Sequence, residues 1–299
     1  MIRTFEELEQ KAKSLPTRHL ALAMAEEADA LKAVVTAARQ EIVDPILVGH
    51  EASIREIAEK EELDISPFRI VNVQGEEKCA AKAVDLVREG EAAVLMKGRT
   101  PTAVIMRAIL SHKNGLRAKG VLSHASIIQT DKYPKLLIMS DPGINIAPDL
   151  QTKAAIIGNA VSVAHKLGIE LPKVAVIAAV EKVNAPAMPA TVDAALLSKM
   201  SERGQITGCI VDGPFALDNA LSRKSCQTKG IPTRVGGDAD ILIMPDIEAA
   251  NVFYKTLAHL TDAKISAMTI GARVPVVMSS RSDSETIKYL SILGAVSIA

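Results

Sequence analysis

The sequence of 299 residues predicts an α/β protein in which most strands run parallel. In its N-terminal third, short apolar and β-branched runs alternate with segments of about ten or more residues whose apolar side chains recur at helical spacing. This alternation is typical of βαβ units, in which crossover helices cover a parallel sheet. The length allows a substantial core, in one large or two medium domains.

The N-terminal third supplies four predicted strands and four predicted helices. Thr4 and Glu7 stand at capping-box spacing and indicate the start of the first helix. The predicted helices cover residues 4–15, 27–39, 51–61 and 77–88, and the predicted strands cover residues 19–23, 46–48, 69–73 and 92–96.

From Val121 the pattern changes to a hairpin, with strands over 126–129 and 135–139. Later strands are predicted over residues 174–180, 208–214, 239–244 and 274–278, with helices that end near residues 167, 202 and 260. We expect the chain to cross once into a second domain and to return near residues 267–272. The expected domains are therefore residues 1–117 with 270–299, and residues 118–269.

The composition argues against nucleic acid and membranes as partners. Lysine plus arginine equals aspartate plus glutamate at 35 each, so no net charge attracts nucleic acid or an acidic membrane. The chain has no tryptophan, three tyrosines and four phenylalanines, so stacking on bases is not expected as the main binding mode. The three cysteines are widely spaced without a CxxC motif, which favours core or free thiols in a reducing compartment. No signal-peptide pattern and no apolar run of ~20 residues is visible, so we expect a cytoplasmic protein.

Basic and hydroxyl side chains follow the strand over 92–96. Lys97 and Arg99 come at its end, Thr100 is predicted as the N-cap of a helix, and Pro101 as its first residue. Arg107 falls on nearly the same helix face as Thr100. These residues favour an anion site beyond the carboxyl end of a strand, although an ordinary basic turn with a solvated Arg107 stays open.

A second such stretch lies near the C-terminus, where an apolar run over 274–278 is followed by Ser280 and Arg281. Ser282 and Glu285 stand three apart and predict a capping box at the start of a helix. Free N–H groups at a helix start and a guanidinium together favour phosphate. The alternative is a surface loop whose serine and arginine only cap the helix.

Other polar residues also follow predicted strands, and no standard catalytic motif accompanies them. GxGxxG, GxxxxGK[ST], HExxH, GxSxG and zinc-spaced Cys/His sets are all missing, and the six histidines are scattered. His124 near the domain junction is the one histidine of interest. Strand-end turns are predicted to add Ser123, Asp141 and Asn145 to a phosphate- or CoA-binding cleft.

Six blocks, in order, carry a family resemblance. They are residues 47–54, 96–107, 140–148, 211–218, 237–246 and 279–281. Together they resemble the phosphate acyltransferase family, the phosphate acetyl- and butyryltransferases, over essentially the whole chain. Lys97-Gly98 and the ending over residues 280–284 are closer to the butyryl branch.

The resemblance implies the reversible reaction of acyl-CoA with phosphate to give acyl phosphate and CoA, without a metal or other cofactor. It further implies two α/β domains like those of isocitrate and isopropylmalate dehydrogenases, an active-site cleft between them, and a homodimer. By similarity, Arg281 would hold the acyl phosphate, Ser280 would bond to the reacting thiol or carbonyl, and Arg107 would meet a phosphate of the substrate or of CoA.

One position departs from the family pattern. The acetyl enzymes carry an aspartate seven residues after the matching serine, where this chain has Ile287. Glu285 is therefore the first candidate for the general base and Asp283 the second, unless the capping box occupies Glu285. Alternatives to a butyryltransferase are a phosphate acetyltransferase, an NAD-dependent decarboxylating dehydrogenase of the same fold, and a CoA- or phosphate-binding regulator without turnover.

Overall fold

A computed structural model describes residues 1–118 and 120–299. Contacts divide the chain into two compact units. The terminal unit comprises Phe5–Lys119 and Ile265–Ala299, and the central unit comprises Met1–Thr4 and Gly120–Lys264. The first residues join the central unit through the backbone, where Ile2 N donates to Leu167 O at 2.9 Å.

The elements follow in chain order. The terminal unit first contributes α1 (Phe5–Ser14), β1 (Arg18–Ala23), α2 (Ala28–Arg39), β2 (Val43–Gly49), α3 (Glu51–Lys60), β3 (Arg69–Asn72), α4 (Glu76–Arg88), β4 (Val94–Lys97) and α5 (Thr102–Leu110). The central unit holds β5 (Ser123–Gln129), β6 (Leu137–Ser140), α6 (Leu150–Lys166), β7 (Lys173–Ile177), α7 (Pro189–Glu202), β8 (Ile210–Phe215), α8 (Leu217–Leu221), α9 (Arg223–Lys229), β9 (Ile241–Ile243) and α10 (Ile247–Leu260). The chain ends with β10 (Lys264–Ile270), β11 (Val276–Val277) and α11 (Glu285–Ile298).

In the terminal unit the strands lie in the order β3-β2-β1-β4-β11-β10. All neighbours are parallel except β10, which runs antiparallel to β11. Strand β4 and the last four residues of β1 are buried, as expected for a sheet that helices cover on its faces. Helix α11 is buried along most of its length and packs against α1 and α2.

In the central unit the order is β5-β6-β9-β7-β8, with an antiparallel hairpin of β5 and β6 followed by parallel pairs. The mixed α/β class predicted from the sequence is confirmed in each unit, and so is the hairpin. Cys79, Cys209 and Cys226 are free and buried, as expected, and burial raises the pKa of the first two thiols to about 11.

Two predicted helix starts are wrong. Helix α5 begins at Thr102 with Pro101 as its N-cap, because Pro101 has an extended ψ of 142° and Thr100 is turned wholly into the interior. Helix α11 is capped by Ser284, whose Oγ accepts from Ile287 N at 3.3 Å. The predicted capping box of Ser282 and Glu285 does not form there, since the helix begins one residue after Ser284.

Strand lengths also differ from the expectation. Near residues 267–272 the sequence predicts only that the chain returns to the first domain, whereas the structure has the seven-residue strand β10 there. Strand β11 holds two residues where five were predicted, and β7 ends at Ile177. An apolar run reports burial, whereas strand length depends on which backbone groups find a neighbouring strand, and that is a tertiary property.

Candidate active site

Three parallel strands of the terminal unit end side by side and bring polar loops to one edge. The register pairs Ala23 of β1 with Lys97 of β4, and Met96 of β4 with Val277 of β11. The loops that follow these strands therefore leave the same edge of the sheet. Open α/β sheets bind their ligands at this edge.

The loop after β4 lies directly against the end of β1. Gly98 N donates to Ala23 O and Arg99 N donates to Met24 O, both at 2.9 Å. A Cβ atom on Gly98 would stand 2.4 Å from Met24 O. Glycine is needed here because the two backbones approach too closely for any side chain.

Lys97 is a buried cation at this edge. Its side chain belongs to a residue only 3% exposed, and Nζ donates to the carbonyl oxygen of the next residue at 3.2 Å. Burial lowers the pKa of Lys97 below its ordinary value; Glu27 and Asp283 oppose the shift, whereas Lys288 and Arg281 add to it. The segments that follow β1 and β11 thus place four charges within electrostatic reach of the Lys97 ammonium group. We refer to Lys97 and its four charged neighbours, Glu27, Arg281, Asp283 and Lys288, as the strand-end cluster.

The loop after β11 forms a tight turn of four residues, Ser280–Asp283, called here the Ser280 turn. Asp283 N donates to Ser280 O at 3.1 Å, and Ser280 N donates to Asp283 Oδ2 at 2.7 Å. The hydroxyls of Ser280 and Ser282 lie 3.0 Å apart. Arg281, at the second position of the turn, is exposed. The turn therefore presents a cation and a hydroxyl on a closed backbone.

Lys288 is a site residue that the sequence analysis missed. Its ammonium is buried and lies 3.4 Å from Ser280 O, 2.5 Å from Asp283 O and 3.2 Å from Glu27 Oε1. Glu27, at the start of α2, was missed as well. The available signal was a lysine, the one charged residue within the largely apolar stretch of residues 287–296. Such a residue needs a buried partner.

Two hydroxyls in these loops are buried without a hydrogen-bond partner among the described residues. They belong to Thr100 in the loop after β4 and to Ser279 in the loop after β11. Buried hydroxyls are usually paired, and unpaired ones call for an explanation. Thr100 does not cap α5, but its position in the loop after Lys97 fits the predicted phosphate-binding role, which stays a prediction.

The remaining predicted residues of the terminal unit are more exposed. Arg99 faces solvent, and Arg107 is 70% exposed with its guanidinium 3.7 Å from Glu77 of α4. Glu285 is half-buried, and Thr36 Oγ1 of α2 donates to its Oε1 at 3.5 Å, the long limit of a hydrogen bond. Contact of Arg107 with a phosphate and a base role for Glu285 stay predictions.

In the central unit, Asp141 organises the loop after β6. Its carboxylate accepts from Gly143 N and Ile144 N at 3.0 Å, from Asn145 N at 3.2 Å and from Asn145 Nδ2 at 2.6 Å. Asp141 is buried, and its four bonds stay within the loop. The geometry gives Asp141 a loop-forming function, while its predicted contact with phosphate or CoA stays a prediction.

Ser123 and Asn145 stand on neighbouring segments of the same unit. Asn145 Nδ2 also donates to Leu122 O at 2.8 Å, so the loop after β6 is fastened to the start of β5. The Ser123 hydroxyl is buried and accepts from Asn159 Nδ2 of α6 at 2.9 Å. His124, the next residue, lies edge-on to Tyr254 with ring centroids 6.5 Å apart. Hydrogen bonds thus tie Asn145 to the start of β5 and Ser123 to α6.

The strand-end cluster is suited to binding anions. It combines a buried ammonium, a second buried ammonium paired with a carboxylate, and an exposed guanidinium. Arginine can bind a phosphate with two parallel hydrogen bonds.

Within residues 1–118 and 120–299, no three His, Cys, Asp or Glu side chains converge as a metal site requires. Across those residues, no helix is both long and apolar enough to cross a bilayer.

Comparison with known proteins identifies the class. The family model described as phosphate acetyl/butaryl transferase matches residues 3–84 and 76–295. The chain belongs to this family. It is 46% identical over 299 residues to the phosphate butyryltransferase of Clostridium acetobutylicum, covering 100% of this chain and 99% of that one. It is 45% identical over 275 residues to the phosphate acetyltransferase of Thermotoga maritima, covering 92% and 93%.

A solved member of similar structure is the branched-chain phosphotransacylase of Enterococcus faecalis V583. It superimposes with a TM-score of 0.83 at 30% identity, covering 94% of this chain and 99% of that one. The family resemblance read from the six sequence blocks is confirmed by the family match, and so is the class of enzyme, a phosphate acyltransferase.

Proposed function

We propose that the protein exchanges a short acyl group between CoA and inorganic phosphate, giving acyl phosphate and free CoA reversibly, with butyryl as the preferred group. Membership of the family supports the reaction. The observation on which the proposal rests is the buried Lys97 at the edge where the Ser280 turn presents Arg281. A desolvated cation beside an exposed guanidinium suits a dianionic phosphate better than it suits a neutral substrate.

In the CoA-acylating direction the thiol sulfur bonds to the carbonyl carbon, and the bond between that carbon and the phosphate oxygen breaks. The thiol proton passes to a carboxylate, and phosphate leaves with the bonding electron pair. Arg281 would hold the phosphate and the developing oxyanion, and loss of such a donor typically costs about 10²–10³ in rate. Ser280 would donate to the carbonyl or accept from the thiol.

For the proton acceptor we retain Glu285 first and Asp283 second. Ser284 caps α11, so the helix start does not occupy the Glu285 carboxylate. Asp283 Oδ2 already accepts from Ser280 N. The contact of Glu285 with Thr36 does not weigh against it, because at 3.5 Å it is at the long limit of a hydrogen bond.

Lys97, Thr100 and Arg99 would receive the phosphate or a phosphate group of CoA, together with Arg107. Ser123, Asp141 and Asn145 of the central unit would add contacts. A catalytic cleft between two domains, a homodimer, a metal-free reaction and a cytoplasmic location belong to the same proposal, and the family resemblance supports each of them.

The experiment is a thiol-release assay. Purified protein is mixed with phosphate and acyl-CoA of two to five carbons, and free CoA is measured with a thiol reagent while acyl phosphate is trapped as a hydroxamate. We expect thiol and hydroxamate in equal amounts, fastest with butyryl-CoA. Thiol released without phosphate would indicate hydrolysis instead. No release with any chain length would overturn the proposal.

The identity of 45% to an acetyltransferase favours acetyl as the second candidate group. A kcat/KM higher for acetyl-CoA than for butyryl-CoA would select it. The dehydrogenase alternative predicts nicotinamide reduction with a hydroxy acid, and the regulator alternative predicts tight CoA binding without thiol release. Both outcomes are measurable with the same preparation.

A further inference from the structure

A buried lysine on α11 lies directly beneath the Ser280 turn. Lys288 has a side chain 1% exposed, and its ammonium has three N–H donors. Three acceptors surround it: the carbonyl oxygens of Ser280 and Asp283 at 3.4 and 2.5 Å, and Glu27 Oε1 at 3.2 Å. Each donor therefore has one acceptor, which is the condition for burying such a group.

The two carbonyl oxygens are those of the first and last residues of the turn. A single ammonium thus bonds both ends of the segment that carries Arg281 at its second position. The third acceptor belongs to the start of α2, so the turn is also tied to the segment that follows β1. Loss of the ammonium would leave the turn closed only by its own bonds between Ser280 and Asp283.

We propose that Lys288, with Glu27 as its counter-ion, is a positioning residue that fixes the Ser280 turn so that Ser280 and Arg281 meet the substrate. The proposal rests on the acyl-transfer function proposed above. It assigns Lys288 no contact with the substrate. Displacement of reacting groups by about 1 Å can cost on the order of 10²-fold in rate, so a loosened turn should be visible in kcat.

The simpler alternative is that the Glu27–Lys288 pair only anchors α11 to α2. Both views predict a loss of stability for Lys288→Met, because this change leaves the half-buried Glu27 carboxylate without its partner. The double variant Glu27→Gln/Lys288→Met removes both charges and should fold. It still lacks the bonds to the two turn carbonyls, so it separates the two views.

We expect both variants to lower kcat for acyl transfer by about 10- to 100-fold, with KM for acyl-CoA changed less than about threefold. In an Arg281→Ala background the same double change should lower kcat less than about threefold, since Lys288 would act through Arg281. The matched control is Lys153→Met, which removes another buried ammonium paired with a half-buried carboxylate, Lys153 Nζ to Asp193 Oδ2 at 2.6 Å. It should lower Tm and leave kcat of the folded protein unchanged.

A readout independent of turnover is trypsin cleavage after Arg281, followed by mass spectrometry under native conditions. The double variant should be cut there at least about tenfold faster than the wild type, and Lys153→Met should not. A folded double variant with wild-type kcat and wild-type cleavage would overturn the positioning role. A wild-type protein that releases no CoA would instead refute the proposed function, and the cleavage test of the turn would still stand.

Discussion

The backbone N–H of Ser280 donates a 2.7 Å hydrogen bond to Oδ2 of Asp283. This bond closes the turn that presents Arg281, and it occupies one oxygen of a carboxylate that the sequence analysis considered as a general base. Asp283 is also buried. Its first function in the structure is therefore to shape the turn.

The first prediction separates these two functions of Asp283. Asp283→Asn keeps an amide oxygen that can accept from Ser280 N, whereas Asp283→Ala removes the acceptor. If Asp283 shapes the turn, Asn should lower kcat by less than about tenfold and Ala by at least about 10²-fold. A general base would lose about 10²–10⁴-fold with either change. Steady-state kinetics on both variants decide the matter.

Arg281→Ala should reduce kcat/KM by about 10²–10³-fold while Tm shifts little, because Arg281 is exposed. The matched control is Arg39→Ala, an exposed arginine at the end of α2 in the same unit. Circular dichroism melts and the thiol-release assay are run on both. Unfolding of Arg281→Ala at assay temperature would show that the residue only supports the fold.

Lys97→Met should raise KM for phosphate at least about tenfold, because a charge-assisted hydrogen bond of about 1.5–3 kcal/mol is lost. It should also stabilise the protein at pH 7. Burial lowers the pKa of Lys97. The buried charge therefore reduces the free energy of unfolding by its full amount below the lowered pKa, and this reduction disappears as pH rises towards the ordinary pKa of lysine.

The stability advantage of Lys97→Met should accordingly shrink as pH rises through that window. Urea unfolding of both proteins at pH 7 and at alkaline pH measures it. In the wild type, phosphate affinity should fall over the same window as Lys97 loses its proton. A constant difference in unfolding free energy across this range would contradict the lowered pKa of the buried Lys97.

Glu285→Gln tests the first-choice base. We expect kcat to fall by about 10²-fold or more and the acidic limb of the pH profile to disappear. The control is Thr36→Val, which removes the one described hydrogen bond of that carboxylate and should leave kcat within about twofold. A loss below threefold for Glu285→Gln would mean that its contact with α2 is structural and that another group takes the proton.

The sequence alone predicted the α/β class, most strands and helices, and the two loops that carry Lys97 and Arg281. These predictions succeeded because apolar periodicity and strand-end polar residues are local patterns, which can be recognised from residues close together in the sequence. The predicted caps at Thr100 and Ser282 failed. A cap depends on the ψ angle of one residue and on which neighbour reaches the free N–H groups first, so several nearby hydroxyl residues fit equally well.

Only the tertiary structure identified Lys288 and Glu27. They lie 261 positions apart (288 − 27), and their pairing depends on β1 and β11 both neighbouring β4 in the sheet. The same arrangement buried Lys97 and thereby lowered its pKa. Residue type and spacing determined which groups could bind an anion, but desolvation and charge pairing arise from packing distant segments together. The sequence therefore indicated which residues could bind an anion, and the fold determined which charged groups interact.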